Sequence, residues 1–313
     1  MARRFALRFG VLMAVLLAVS FLTFSMMSLL PGDPALQILG GDNADPERVA
    51  TVRSELGLDD PFLVRYGDWL GGVVRGDFGR SYRTSQPVAE AIRERLPVTV
   101  EVGVLALLLA LVASVPLGVL SAYRAGTRFD KAVSGISFGL LSVPSFMLAV
   151  FLMYAFAVRL RWLPASGWTR LTDDPLENLK SAVLPALSLA VAEAAVYTRL
   201  LRSDVLQTLQ EDFLVLARMK GLPTWRILFG HALRPSSISL MTVIGVQLAA
   251  LLGGTVIVEQ VFALPGVGLL LINGIYQRDL LVVQGVVLVV ASAFVIVNFL
   301  IDMLYTVVDP RIR

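Results

Sequence analysis

The chain has no cysteine and a single histidine, His231, among its 313 residues. That removes disulfide frameworks, thiolate zinc sites, cysteine nucleophiles and multi-histidine metal centres from consideration. Charge is scarce too: 16% of residues are Asp, Glu, Lys or Arg, and the formal net charge is +3. So small and dispersed an excess offers no basic face for nucleic acid. No G-x-x-x-x-G-K-[ST] phosphate loop occurs, so any nucleotide energy must be supplied by another polypeptide. What the chain has in quantity is apolar length. With 56% hydrophobic residues and a mean hydropathy of +0.75, it reads as a membrane protein.

A bilayer core needs about 20 mainly apolar helical residues. Six segments predict such spans: 9–30, 98–122, 132–158, 182–201, 238–262 and 282–308. An even number of spans puts both termini on one side. Arg3, Arg4 and Arg8 precede the first span, Arg124, Arg128 and Lys131 fill the second loop, and Arg199, Arg202, Arg218, Lys220, Arg226 and Arg234 fill the fourth. The positive-inside rule makes these loops and both termini cytoplasmic. The first span reads as a retained anchor, because its apolar run exceeds the roughly 7–15 residues of a signal peptide and no small-x-small cleavage site follows.

Between the first two spans lies an outside segment long enough to have structure of its own. Asp45-Pro46 offers a cap and a first-turn proline, Val49, Val52 and Leu56 recur on one face, and Gly57 can close that helix. Asp60-Pro61 repeats the signal before Phe62, Tyr66, Leu70 and Val73, with Gly76 as the stop. Two readings stand: a cap packed on the bundle, or a docking surface for an external partner.

The stretch 202–235 is too polar for lipid and longer than a simple turn requires. Leu206, Leu209, Phe213, Leu216 and Ala217 are spaced to extend the fourth helix inward. Gly221 stands where a left-handed C-terminal residue belongs, after Lys220, and Leu222-Pro223 opens a second short helix over 223–233. That helix is expected to expose Trp225, Ile227, Leu228 and Phe229 among Arg226, His231 and Arg234. Such a knob suits a groove on a soluble protein, and equally an amphipathic helix on anionic lipid.

Ionisable residues inside spans are costly and mark candidate function. Glu193 is the deepest, with Tyr197 one turn away and Gln247 on the fifth span, and it is placed either to line a pathway or to pair structurally with an arginine. Glu101 and Glu259 near outer span ends, and Asp302 near an inner end, are expected to be solvated cheaply. Prolines 116, 144 and 185 are candidate kinks. An intramembrane enzyme would need a buried Ser-His, paired-Asp or metal constellation, and the sequence argues against one. A proton-coupled secondary transporter could use Glu193, but no paired repeats are visible.

Ala217, Gly221 and Leu233 fall where the signature loop of ABC importer permeases places its Ala, Gly and Leu. Val215 and Leu216 replace the Glu-Ala that opens that signature, His231 replaces its Ile, and Pro235 stands one residue late, after Arg234. The version ARMKGLPTWRILFGHALRP resembles the peptide-transporter branch, as do LLPGDPA, ELGLDDPFLVRYGDWL, GDFGRSY, SVPSFMLAVFL, LGGTVIVEQVFALPGVG and the terminal DPRIR. These phrases cover nearly the whole chain, which resembles the first permease subunit of a dipeptide, oligopeptide or nickel ABC importer.

The resemblance implies an all-α integral membrane protein of type I importer fold, in a bacterial plasma (inner) membrane. Its parts would be an anchor and outside segment (1–97), a permease core (98–308) with a coupling loop (202–235), and a cytoplasmic tail (309–313). It implies a second, homologous permease as heterodimer partner, two cytoplasmic ATPase subunits or domains carrying ATP and Mg, and an extracytoplasmic substrate-binding protein. The loop around Gly221 would dock into an ATPase cleft, and membrane lipid would surround the rest. No cofactor is expected in this chain itself.

Overall fold

In the computed structural model, secondary structure is helical throughout the described residues, apart from an isolated antiparallel bridge between Arg80 and Pro87. The structure describes residues 2–29, 35–36, 45–55 and 57–308. Leu56, most of the LLPGDPA phrase and the 309–313 tail lie outside the described residues, as do the side chains of Arg3, Arg4, Arg8, Val52 and Asp302. The chain divides into two units, residues 1–97 with 265–313, and residues 98–264.

In the first unit, α1 (Ala2–Leu29) packs along α11 (Leu280–Val308). Helix α2 (Pro46–Glu55) begins with the Glu47 amide donating to Asp45 Oδ1 at 3.2 Å, and Gly57 beyond its end takes φ +55°. Helix α3 (Phe62–Val74) starts from Pro61, so Asp60 does not cap it through its side chain as its position before Pro61 led one to expect. Phe62, Tyr66 and Trp69 of α3 cluster with Phe24 of α1 at ring separations of 5.3–5.7 Å, and the Tyr66 hydroxyl meets Ser20 Oγ at 2.7 Å. Aromatic pairs at these separations add about 0.5–1.5 kcal/mol each beyond the area they bury. Helix α3 is thereby held on α1 as a cap, with Leu63 and Val74 left exposed.

The short α10 (Val267–Tyr276) and the start of α11 close this unit around Val88, Ile92, Val267, Val282 and Val286. Ser81 Oγ donates to Asp279, and Arg83 Nε donates to the Gln277 carbonyl at 3.1 Å, so the 76–87 loop is stapled to the α10–α11 turn.

The second unit takes up most of α4 (Val88–Tyr123) and continues through α5 (Arg128–Leu141), α6 (Ser145–Leu152), α7 (Pro175–Thr208) and α9 (Leu233–Val261). Helix α7 is the hub, packed by α5, α6 and α9. Small residues make this close approach possible. Val102, Ala106 and Ala110 recur every fourth residue on α4 and are buried, and a methyl added at Gly118 would stand 2.9 Å from Leu201 Cβ and 3.0 Å from the Thr198 carbonyl.

The third expected span, 132–158, is not one continuous helix. Helices α5 and α6 meet at 100° across Ser142–Pro144, and α6 runs on into a π-helical turn, Met153–Arg159. Pro144 lacks the N–H that would continue α5, and its ring pushes Val143 out of helical geometry. Pro116 and Pro185, by contrast, lie inside α4 and α7 without ending them. Among the described residues four helices are long and apolar enough to cross a bilayer, five if the bent pair is one span, while the apolar stretch described in α1, Phe9–Ser25, is shorter. The expected count of six is therefore not reached within the described residues.

Candidate coupling site

Helix α7 does not run on to Ala217 as the leucine spacing predicted. It stops at Thr208, whose hydroxyl donates back to the Asp204 carbonyl at 2.8 Å and meets Ser236 Oγ at 3.0 Å. Glu211 then takes an extended conformation, and a separate helix, α8 (Asp212–Met219), begins with Asp212 in its first turn. Such back-bonding by a threonine hydroxyl competes with the helix ladder and often accompanies a bend.

Helix α8 ends in a complete Schellman turn. The Gly221 amide donates to the Arg218 carbonyl at 2.9 Å, the Leu222 amide to the Ala217 carbonyl at 3.3 Å, and Gly221 sits at φ +73°. Ala217 and Leu222, both half-buried, pack beneath the turn, while Lys220 and Pro223 are exposed. Pro223 opens the next turn, its carbonyl accepting from the Arg226 and Ile227 amides.

From Arg226 to Ala232 the chain is π-helical, and it enters α9 at Leu233 with no break. The expected short helix over 223–233 is thus the first turns of the fifth span. The extra residue in the turn rotates the side chains away from an ideal 3.6-residue register. Ile227 and Leu228, expected on the surface, are buried at 4% and 3% exposure, and Ala232 and Leu214 are buried with them. Trp225 and Phe229 remain exposed at 62% and 41%, with His231 beside them and the Arg226 guanidinium 5.5 Å from the Trp225 ring. Leu233 is half-buried. The knob therefore has an apolar root in the unit and a two-aromatic tip.

A second constellation lies further back on α7, at Arg202. Asp130, in the first turn of α5, accepts from Ser121 Oγ of α4 at 2.6 Å, from the Gly126 amide at 2.9 Å, and from Arg202 of α7 through both Nε and Nη2, the latter at 2.7 Å. One carboxylate ties three helices. The fork geometry of arginine suits this bidentate grip.

Comparison with known proteins identifies the architecture. The profile of the family described as "binding-protein-dependent transport system inner membrane component" matches residues 114–313, and that of the corresponding N-terminal membrane component matches residues 1–103. The chain belongs to this family. It is similar to a Brucella abortus chain provisionally named a peptide transport system permease protein, at 44% identity over 96% of this chain and 95% of that one. It is also similar to the dipeptide transport system permease protein DppB of Escherichia coli K12, at 36% identity over 98% and 97%, and to DppB of Alkalihalophilus pseudofirmus, at 34% over 98% of each.

The chain is thus a permease subunit of an ABC importer, a multi-pass inner-membrane protein of type I permease fold. Such permeases are transporters rather than enzymes and work with ATPase and substrate-binding partners. Within the permease, Glu193 of α7 is buried and accepts from Gln247 Nε2 of α9 at 3.2 and 3.0 Å through its two oxygens. Tyr197, one turn on, is fully buried beside it. The structure therefore brings the three residues singled out in the spans together, at a contact between the two helices that flank the knob.

Glu259 corrects an expectation. It is fully buried rather than solvated at a span end, and Thr99 Oγ1 donates to it at 2.6 Å. Glu101 is half-buried. The Asp130 clamp escaped sequence reasoning, which counted Arg202 only as a topology marker. The available signal was Thr127-Arg128-Phe129-Asp130, a cap followed by a first-turn acid, which predicts a helix start but not a partner 72 residues away.

Proposed function

We propose that this permease forms the translocation path for dipeptides or oligopeptides across the plasma membrane and takes its driving force from separate ATPase subunits that grip the Gly221 knob. The names of its relatives support the peptide substrate. The observation that carries the coupling role is the split between root and tip: Ile227 and Leu228 are locked into the unit while Trp225 and Phe229 project, and the same backbone continues as α9. A pull on the tip reaches the Glu193–Gln247 contact without passing through a flexible joint. In this reading both termini and the knob are cytoplasmic, ATP and Mg are held by two partner ATPase subunits or domains, a second homologous permease completes a heterodimer, and an extracytoplasmic binding protein delivers substrate.

Ala217, Lys220, Gly221, Leu222, Pro223, Trp225, Ile227, Leu228, His231 and Leu233 build the coupling element, with Glu193, Tyr197 and Gln247 along the path. The test is uptake of a labelled dipeptide into proteoliposomes that contain both permeases and the ATPases, supplied with binding protein. ATP-dependent uptake that is lost with Trp225→Ala and Phe229→Ala together supports the assignment. Uptake that persists with the aromatic tip removed overturns it. The Glu193–Gln247 contact gives a proton-coupled carrier some footing, and uptake driven by a proton gradient with no ATPase present would favour that reading. Nickel uptake in the same assay, with no dipeptide uptake, would change the substrate alone.

A further inference from the structure

We infer that the groove between α5 and α7, beside the Asp130 clamp, is a binding site for the headgroup of an anionic phospholipid, with Arg199 as its phosphate ligand. The groove is open on one side and has a volume of about 480 Å³. Its α5 wall carries Ser134, Phe138 and Leu141, and its α7 wall carries Arg199, Leu200 and Ser203. Asp130 meets Arg202 and Phe138 meets Arg199, so the two helices run in opposite directions along it. Two arginines and two serines share its lining with four apolar side chains.

The two arginines at this groove differ in what holds them. The Arg202 fork is taken up by Asp130. Arg199 has no carboxylate partner among the described residues. Its guanidinium lies 4.0 Å from the centroid of the Phe138 ring. Stacking uses the face of a guanidinium and leaves its N–H edge free to donate in the plane. A planar donor edge in a groove that also carries two serine hydroxyls suits a phosphate diester.

Lys131 is exposed one turn before Ser134 on the same stripe of α5 and adds a second cation near it. The floor decides the class of ligand. A soluble phosphate would satisfy Arg199 but leave Phe138, 56% exposed, and Leu141 bare, whereas an acyl chain covers them. Basic pockets between transmembrane helices are where anionic headgroups settle. In the orientation proposed above the groove faces the inner leaflet, but the lipid assignment holds for whichever leaflet it meets, and its failure would leave the transport reading untouched.

The test uses the assembled transporter in nanodiscs of phosphatidylcholine with a minor fraction of phosphatidylglycerol, followed by native mass spectrometry of the lipids retained. Phosphatidylglycerol is expected to be enriched on the wild-type complex, and Arg199→Ala to reduce that enrichment by roughly tenfold, with Arg199→Lys intermediate. Because the chain has no native cysteine, Ser203→Cys carrying a photocrosslinker gives a single probe site on this chain, with Arg199 and Ser134 left in place. A phospholipid adduct supports the proposal. An adduct on a partner polypeptide, unchanged phosphatidylglycerol retention in Arg199→Ala, or displacement of the lipid by inorganic phosphate would each overturn it.

Discussion

Arg202 of α7 holds Asp130 of α5 through two nitrogens of one guanidinium, and the carboxylate it holds is 5% exposed and also bound by Ser121. Removing one member of such a pair strands the other. Asp130→Asn is expected to lower stability by about 2–3 kcal/mol, below the roughly 3–5 of a fully buried pair because Arg202 stays partly open to screening. The thermal midpoint of the purified permease complex checks this, and the exchange Asp130→Arg with Arg202→Asp should recover part of the loss. An unchanged midpoint in Asp130→Asn would remove the clamp from the account.

Two glycines should respond differently to the same substitution. Gly118→Ala drives a methyl against Leu201 and the Thr198 carbonyl, at the 2.9 and 3.0 Å given above, and is expected to cost about 1–3 kcal/mol as α4 and α7 are forced apart. Gly221→Ala meets nothing within 4 Å but forces an L residue to φ +73°, at a cost of about 1–2 kcal/mol. Gly221→Asn should cost less, since asparagine tolerates this region. Thermal midpoints of the three variants separate packing from backbone strain. Equal losses for Gly221→Ala and Gly221→Asn would argue against strain as the cause.

The knob offers a contrast between neighbours. Ile227→Ala or Leu228→Ala removes a buried side chain and is expected to lower stability by about 2–5 kcal/mol. Trp225→Ala, at an exposed tip, should leave the midpoint nearly unchanged while weakening capture of the ATPase subunits by about 2 kcal/mol, close to thirtyfold in Kd. Pull-down titration of the ATPases against each variant measures the second effect. Trp225→Ala that binds them as tightly as the native chain would mean the tip is not the contact.

Glu193→Ala leaves the Gln247 amide without its acceptors in a partly buried contact, at an expected cost of about 1–2 kcal/mol. Glu193→Gln keeps one acceptor and should cost less. Comparing dipeptide uptake with the midpoints of the two variants tells a structural contact from a pathway group. If Glu193→Gln folds as well as the native chain yet loses uptake, Glu193 acts on the substrate path.

Much of the fold was legible because its signals are local. Gly221 after a leucine-rich turn predicts a left-handed helix stop, and the Schellman bonds at Ala217 and Arg218 follow from that one residue. Pro144 is visible as a break, but how far the chain turns there depends on what α5 and α6 each pack against, and the 100° bend is a property of those contacts with α7. The surface expected for Ile227 and Leu228 failed for a related reason. A 3.6-residue period cannot register a π-helical turn, and it is in that turn that Ile227, Leu228 and Ala232 enter the core.

Sequence by itself determined that this chain lives in a membrane, lacks its own phosphate loop and turns at Gly221, because hydropathy, a motif and a left-handed glycine are properties of short segments. Tertiary structure decided the rest: that Arg202 answers Asp130, that Glu193 answers Gln247, and that Glu259 is buried against Thr99. Each of these joins residues from 54 to 160 positions apart. A charge in a sequence shows only that it needs a partner, and which partner it finds is set by the packing of helices around α7.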